Sequence, residues 1–141
     1  MSSTHAGKNF PEPNAETRPF WDGCNNRQLL IQKCRQCGDY QFYPRSMCHR
    51  CMTDTVDWVA VSGAGRVRSF TVVRRPLSPA YAAETPYTVA LIQLAEGPTL
   101  MSNIINCPIE QLRVGLAVSV VFEQWSEQIT VPKFQPAAGA P

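Results

Sequence analysis

Histidine, the commonest general base near neutral pH, occurs only twice in this 141-residue chain, at His5 and His49. No G-x-S-x-G nucleophile elbow is present, and no motif supplies a base to Ser78, Ser102 or Ser119. The chain offers almost no catalytic equipment of its own, so a non-enzymatic role is expected. No apolar run approaches the roughly 18 residues of a membrane span; the longest candidate is Leu116–Phe122. The opening M-S-S-T-H-A-G-K-N-F has no apolar core of a secretory leader. A reduced, cytoplasmic protein with no membrane segment is expected. Charge is also sparse, with 17% charged residues and a formal net charge of +2. No internal repeat is visible, and low complexity is confined to the terminal A-A-G-A-P.

Cysteine, by contrast, is concentrated. Four of the six fall between Cys34 and Cys51, as two C-x2-C pairs separated by ten residues. Each pair can turn both sulfurs toward one point, and two facing pairs supply four tetrahedral ligands for Zn²⁺ at about 2.3 Å. Gly38 suits the tight turn after the first pair, and Asp39 to Met47 can form the hairpin leading to the second. Cys34, Cys37, Cys48 and Cys51 are therefore the candidate metal ligands. A closed S4 set leaves no open position for a catalytic water, so the metal is expected to be structural. Competing uses are two disulfides, which need an oxidising compartment, and a rubredoxin-type iron. Four thiolates around Zn²⁺ bring the formal charge from +2 to zero. That weakens the case for a cationic nucleic-acid binder. Lys33, Arg35, Arg45 and Arg50 read as compensation for a site that is itself doubly negative.

Read in order, residues 1–16 are polar with no apolar period and are expected to be a flexible arm. Thr17 can cap a short helix with Pro19 in its first turn. Phe20, Trp21 and Cys24 then share a face, which either packs on the rest of the chain or is offered to a partner. Leu29–Lys33 enters the first knuckle as a strand, and Val56–Val61 leaves the second. The strand signals beyond it are Arg66–Arg74, Tyr87–Leu94, Thr99–Asn106, Ala117–Gln124 and Ile129–Phe134. One helical turn falls at Pro108–Leu112. The expected fold is mainly β: a helix and zinc ribbon over 17–61, a five-stranded antiparallel OB-type barrel over 62–135, and a tail over 136–141. Strict alternation would set Arg66, Arg68, Phe70, Val72 and Arg74 on one face.

Several segments resemble a known family. They are F-W-D-G, L-L-I-Q-K-C-R-Q-C-G and Phe42-Tyr43-Pro44-Arg45, then S-G-A-G-R-V-R-S-F-T-V-V-R-R-P, P-Y-T-V-A-L-I-Q-L, E-G-P-T-L-M-S-N-I and P-K-F-Q-P. In this order they are similar to the domain-of-unknown-function-35 family, over roughly Pro19 to Pro136. The resemblance implies a rubredoxin-like zinc ribbon followed by an OB-fold, with zinc on Cys34, Cys37, Cys48 and Cys51. It further implies a small accessory subunit of a thiolase-like enzyme or related acyl-CoA lyase, aldolase or hydratase. Such a subunit serves assembly, or binding or delivery of the CoA thioester, within a hetero-oligomer. Many members have Gly after the last cysteine of the second pair, where this chain has Met52; the turn is expected to change without altering ligation. Phe20 and Trp21 are the candidate partner-docking residues. Arg66, Arg68, Phe70 and Arg74 are the candidate face for CoA or an acidic partner. The competing function is a single-stranded nucleic-acid module that stacks bases on Phe70, Tyr87 and Phe122 beside those arginines.

Overall fold

In the computed structural model, residues 5–138 are described. The helix α1 (Arg18–Asn25) is followed by β1 (Leu30–Cys34), β2 (Tyr40–Gln41) and β3 (Val56–Ala60). These three strands form one antiparallel sheet in the order β2-β1-β3. Then come β4 (Ala64–Val73), β5 (Tyr87–Leu94), β6 (Thr99–Ile104), β7 (Ala117–Gln124) and β8 (Thr130–Pro136), closed as β4-β5-β6-β8-β7. Closure leaves the barrel itself without a free edge. The barrel is not wholly antiparallel as expected. β6 and β8 run parallel where Ile104 meets Phe134, because the segment Ile105–Gly115 and β7 intervene and return the chain in the same direction. Gly63, at φ +80°, makes the entry bend: a Cβ there would lie 2.4 Å from Val120 Cγ1. A single buried core runs through all parts, joining Phe20, Cys24, Leu29 and Ile31 to Val67, Ile92, Leu116 and Phe134.

The helix begins differently from expectation. Thr17 makes no side-chain cap; the cap is Asn14, three residues earlier. Asn14 Oδ1 accepts from the N–H groups of Glu16 and Thr17, both at 2.9 Å. Thr17 Oγ1 in turn accepts from the Asn14 N–H at 3.0 Å. This is a reciprocal capping box with threonine in the place usually held by Glu or Gln. The sequence carries this signal at Asn14, within the polar stretch 1–16. His5 and Phe10 pack on Trp125, Asn9 bonds Tyr81 and Lys8 is buried, so this part of the arm lies on the barrel half; residues 1–4 fall outside the described residues. The tail begins one residue later than expected, since Pro136 belongs to β8, and residues 139–141 also fall outside the described residues.

The grouping of Arg66, Arg68, Phe70, Val72 and Arg74 on one face is corrected by a β-bulge. Val67 pairs with Ile92 but Ser69 pairs with Leu91, so Arg68 is an extra residue. One added residue reverses the alternation. Phe70 and Val72 therefore pack against the core as Val67 does, while Arg66 and Arg68 remain exposed. Those two arginines also reach different neighbours: Arg66 Nη1 donates to Gly115 O at 2.9 Å and Arg68 Nη1 to Thr99 Oγ1 at 3.3 Å. Arg74 is exposed just past the end of β4. Among the described residues, no helix is long and apolar enough to cross a membrane.

Candidate metal centre

Two knuckles of the same design bring the cysteines together. In the first, Gly38 N–H donates to Cys34 O at 2.9 Å and Cys37 N–H points to Cys34 Sγ at 3.5 Å. In the second, Met52 N–H donates to Cys48 O at 3.0 Å and Cys51 N–H points to Cys48 Sγ at 3.5 Å. Both turns close on a residue with positive φ, +76° at Gly38 and +63° at Met52. Met52 thus keeps the turn that glycine makes elsewhere and leaves all four sulfurs in place. A side chain in the left-handed region is strained by about 1–2 kcal/mol, partly offset by the greater chain entropy of glycine. Met52→Gly should therefore stabilise the ribbon by about 0.5–1 kcal/mol, read as a higher urea midpoint for zinc loss.

The four Sγ atoms lie within 4.8 Å of one another. The cross-knuckle pairs Cys34–Cys51 and Cys37–Cys48 are both 3.6 Å apart. A disulfide needs about 2.05 Å, whereas the edge of a zinc–sulfur tetrahedron is about 3.8 Å. The donor set fits Zn²⁺. Cys34 and Cys48 are buried, while Cys37 and Cys51 face outward. The Thr55 hydroxyl and the Cys37 N–H pull the Cys34 thiol down to about 5. The Cys51 N–H holds Cys48 below its ordinary value. At Cys37 the Asp39 N–H acts in the same sense, but desolvation of its sulfur within the cluster and the neighbouring sulfurs of Cys48, Cys34 and Cys51 outweigh it and push the thiol up to about 12. Four thiolates so close cannot ionise together without a cation between them.

Sequence reading missed the side chains that hold the second pair in place. Gln32 on β1 and Gln41 on β2 are both buried and joined amide to amide at 2.7 Å. Gln32 accepts from the Arg45 N–H at 2.8 Å and donates to Arg45 O at 2.6 Å. Gln41 donates to Met47 O at 3.1 Å and accepts from the His49 N–H at 2.8 Å. This clamp delivers Cys48 to the site. The only sequence signal was two glutamines bracketing the first pair. Gln41→Leu should strand the Met47 and His49 backbone groups and destabilise the ribbon by about 2–3 kcal/mol, measured by chelator-induced unfolding. Thr53 and Thr55 were missed as well; their hydroxyls lie 3.1 Å from Cys51 Sγ and 3.2 Å from Cys34 Sγ. His49 is turned to Asp39, Nε2 to Oδ2 at 2.8 Å. Arg35 pairs with Asp57, and Lys33 lies over the Tyr40 ring.

The other candidate residues lie elsewhere. Phe20 is buried, 4.9 Å from the Trp21 ring and 5.4 Å from Phe42. It is core and cannot be offered to a partner. Trp21 is partly buried and packs against the same core. Cys24 is fully enclosed, and burial pushes its thiol up to about 12. Cys107 is half-buried beside the end of β6 and is also raised by burial.

A rubredoxin-like zinc ribbon joined to an OB-fold barrel defines the class of this protein, and the cofactor of that ribbon is a structural zinc ion. The ChsH2 rubredoxin-like zinc ribbon domain matches residues 21–57, and the ChsH2 C-terminal OB-fold domain matches residues 58–123. A DUF35 domain-containing scaffold protein of Methanothermobacter thermautotrophicus is 32% identical over 115 residues, covering 80% of this chain and 86% of that one. The chain belongs to the DUF35 family. A probable enoyl-CoA hydratase alpha subunit of Thermomonospora curvata is 31% identical over 127 residues, 90% of this chain. The chain spans 39% of that relative's length. Among solved structures, a chain of the Ltp2-ChsH2(DUF35) aldolase superposes with a TM-score of 0.81 at 30% identity, covering 89% of this chain and 98% of that one.

Proposed function

We propose that this chain is a non-catalytic accessory subunit of a cytoplasmic acyl-CoA enzyme complex, serving assembly or the binding or delivery of the CoA thioester. The observation that carries this reading is the end-to-end likeness to the DUF35 chain of an aldolase complex, which leaves no part of that chain unmatched beyond 2%. In this reading Cys34, Cys37, Cys48 and Cys51 bind the zinc and stiffen the ribbon. Residues 17–61 form the docking half and residues 62–135 the barrel half. The part of Trp21 left exposed, rather than the buried Phe20, meets the partner, an aromatic contact of the kind that dominates interfaces. Arg66, Arg68 and Arg74 supply separate cationic points for CoA phosphates or acidic partner groups.

The test is native purification of the chain from its own cells, with mass spectrometry and a 260/280 nm absorbance ratio. A thiolase, aldolase or hydratase subunit at fixed stoichiometry through moderate salt is the expected result. Nucleic acid that falls away steeply with salt would overturn it in favour of the single-stranded binding module. Trp21→Ala should weaken the complex by about 2 kcal/mol or more and the isolated chain by less. Equal losses in both would make Trp21 a packing residue.

A further inference from the structure

A second site is built around Lys8, apart from the zinc and from the proposed docking residue. The Lys8 side chain is 0% exposed, although lysines ordinarily keep the ammonium in water. That ammonium is paired with Glu84 and lies 3.0 Å from His5 Nδ1. It stands over two rings, 5.0 Å from the Trp125 centroid and 5.6 Å from that of Tyr81. Two π faces and a carboxylate are what a desolvated cation requires.

The walls come from separate elements and have contacts besides those to the strap that carries Lys8. His5 and Phe10 of the strap also pack on the Trp125 ring, at 5.3 and 5.4 Å, and Lys133 shares that ring at 5.9 Å. Tyr81 and Glu84 belong to the 3₁₀ turn Pro79–Glu84, and the Tyr81 ring lies 6.3 Å from that of Tyr87. Trp125 lies between β7 and β8. Its backbone N–H donates to Ile129 O at 2.8 Å, and its indole N–H donates to Glu123 Oε1 at 2.7 Å. Glu123 is paired with Lys133 at 2.8 Å. Burial alone would raise the Glu123 carboxyl, but Lys133 and the indole outweigh it and hold it below its ordinary value. None of these wall contacts uses Lys8.

We propose that Trp125, Tyr81 and Glu84 form a binding cage for an alkylammonium group, and that Lys8 of the same chain is its resident, autoinhibitory ligand. The strap carrying Lys8 is fitted to the turn beneath it. Asn9 N–H donates to Tyr81 Oη at 3.1 Å, and Gly7, at φ +82°, passes where a Cβ would lie 3.3 Å from Ala80 Cβ. Beside the cage is a cavity of about 520 Å³ bounded by His5, Glu84, Tyr87, Asn106, Glu123 and Lys133, with room for an incoming chain. A tethered ligand competes at millimolar effective concentration, so an outside ammonium enters by displacing the strap. The group recognised is the alkylammonium itself, carried by a partner protein's lysine or by a small molecule.

The test compares the full-length, zinc-loaded chain with its Lys8→Ala variant. The probes are tetramethylammonium and a short peptide bearing one lysine, and the readout is the NMR signal of the Trp125 indole N–H. Saturable binding to the variant, at least about tenfold tighter than to the unaltered chain, is expected, and Lys8→Ala with Glu84→Gln should lose it. Tighter binding of the peptide would identify a protein lysine, and equal or tighter binding of tetramethylammonium a small ligand. An unmoved Trp125 signal in a variant with unchanged zinc content and circular dichroism would overturn the proposal. So would equal affinity in the two chains. Should Lys8→Ala fail to fold, Lys8→Met keeps the aliphatic stem without the charge and carries the same two outcomes.

Discussion

Cys34→Ser or Cys51→Ser should release the zinc and unfold residues 30–56 while the barrel strands stay closed. Zinc binding in small thiolate sites is worth on the order of 10 kcal/mol, and where the apo site has no structure of its own that energy is folding energy. The ribbon fits this description. β2 is only two residues long, and much of 35–55 is turns that meet at the sulfurs. The Gln32–Gln41 clamp tightens the loop, but it cannot replace the metal: a few hydrogen bonds net about 1 kcal/mol each. The barrel is closed by its own ladders, with β4 paired to both β5 and β7. Hydrogen exchange read by mass spectrometry, together with metal analysis, checks both halves. Fast exchange should be confined to the ribbon, with β4–β8 protected. Stoichiometric zinc retained in either variant would remove that cysteine from the ligand set. His49→Ala, in contrast, should keep its zinc, since that imidazole bonds Asp39 rather than the metal.

The parts of the molecule legible in the sequence are those fixed by local chemistry. The two C-x2-C pairs announced their own geometry, and five runs rich in β-branched and aromatic residues announced five strands. What escaped was set by contacts between distant residues. The bulge at Arg68 depends on how β4 meets β5, and nothing within R-V-R-S-F-T-V-V-R marks the residue left unpaired. Gln32 and Gln41 look like surface residues until the 45–49 loop covers them. Lys8 and Glu84 are 76 residues apart in the chain; each reads alone as a solvated charge, and only the fold puts an indole beside them. Phe20 and Trp21 present the same problem on a smaller scale. Adjacent aromatics on one helix gave no basis for deciding which was core; the fold buries Phe20 beside Phe42 and leaves Trp21 partly exposed.

The contact between helix and barrel leads to the second large effect. Phe134→Ala should destabilise the whole chain by about 3–5 kcal/mol, the usual cost of emptying a buried aromatic site. Phe134 is 0% exposed and stands at the one place where β8 has both its partners, opposite Val120 on β7 and Ile104 on β6. Its carbonyl accepts from the Ile105 N–H at 2.8 Å, a bond that helps shut the barrel. The same core includes Phe20 and Cys24 of α1, and the helix packs on β8. A cavity there removes support from the barrel seam and from the base of the ribbon together. The melting temperature should fall by about 10 °C or more, and zinc release should follow the same transition as loss of barrel circular dichroism. Phe134→Leu, which keeps most of the volume, should cost less than about 1.5 kcal/mol. Separate transitions in Phe134→Ala would mean that the ribbon and barrel fold independently. One shared transition would show that the cysteine variants and the core variant fail in different ways: the first lose the metal and the ribbon alone, the second the joint that fixes the ribbon's position on the barrel.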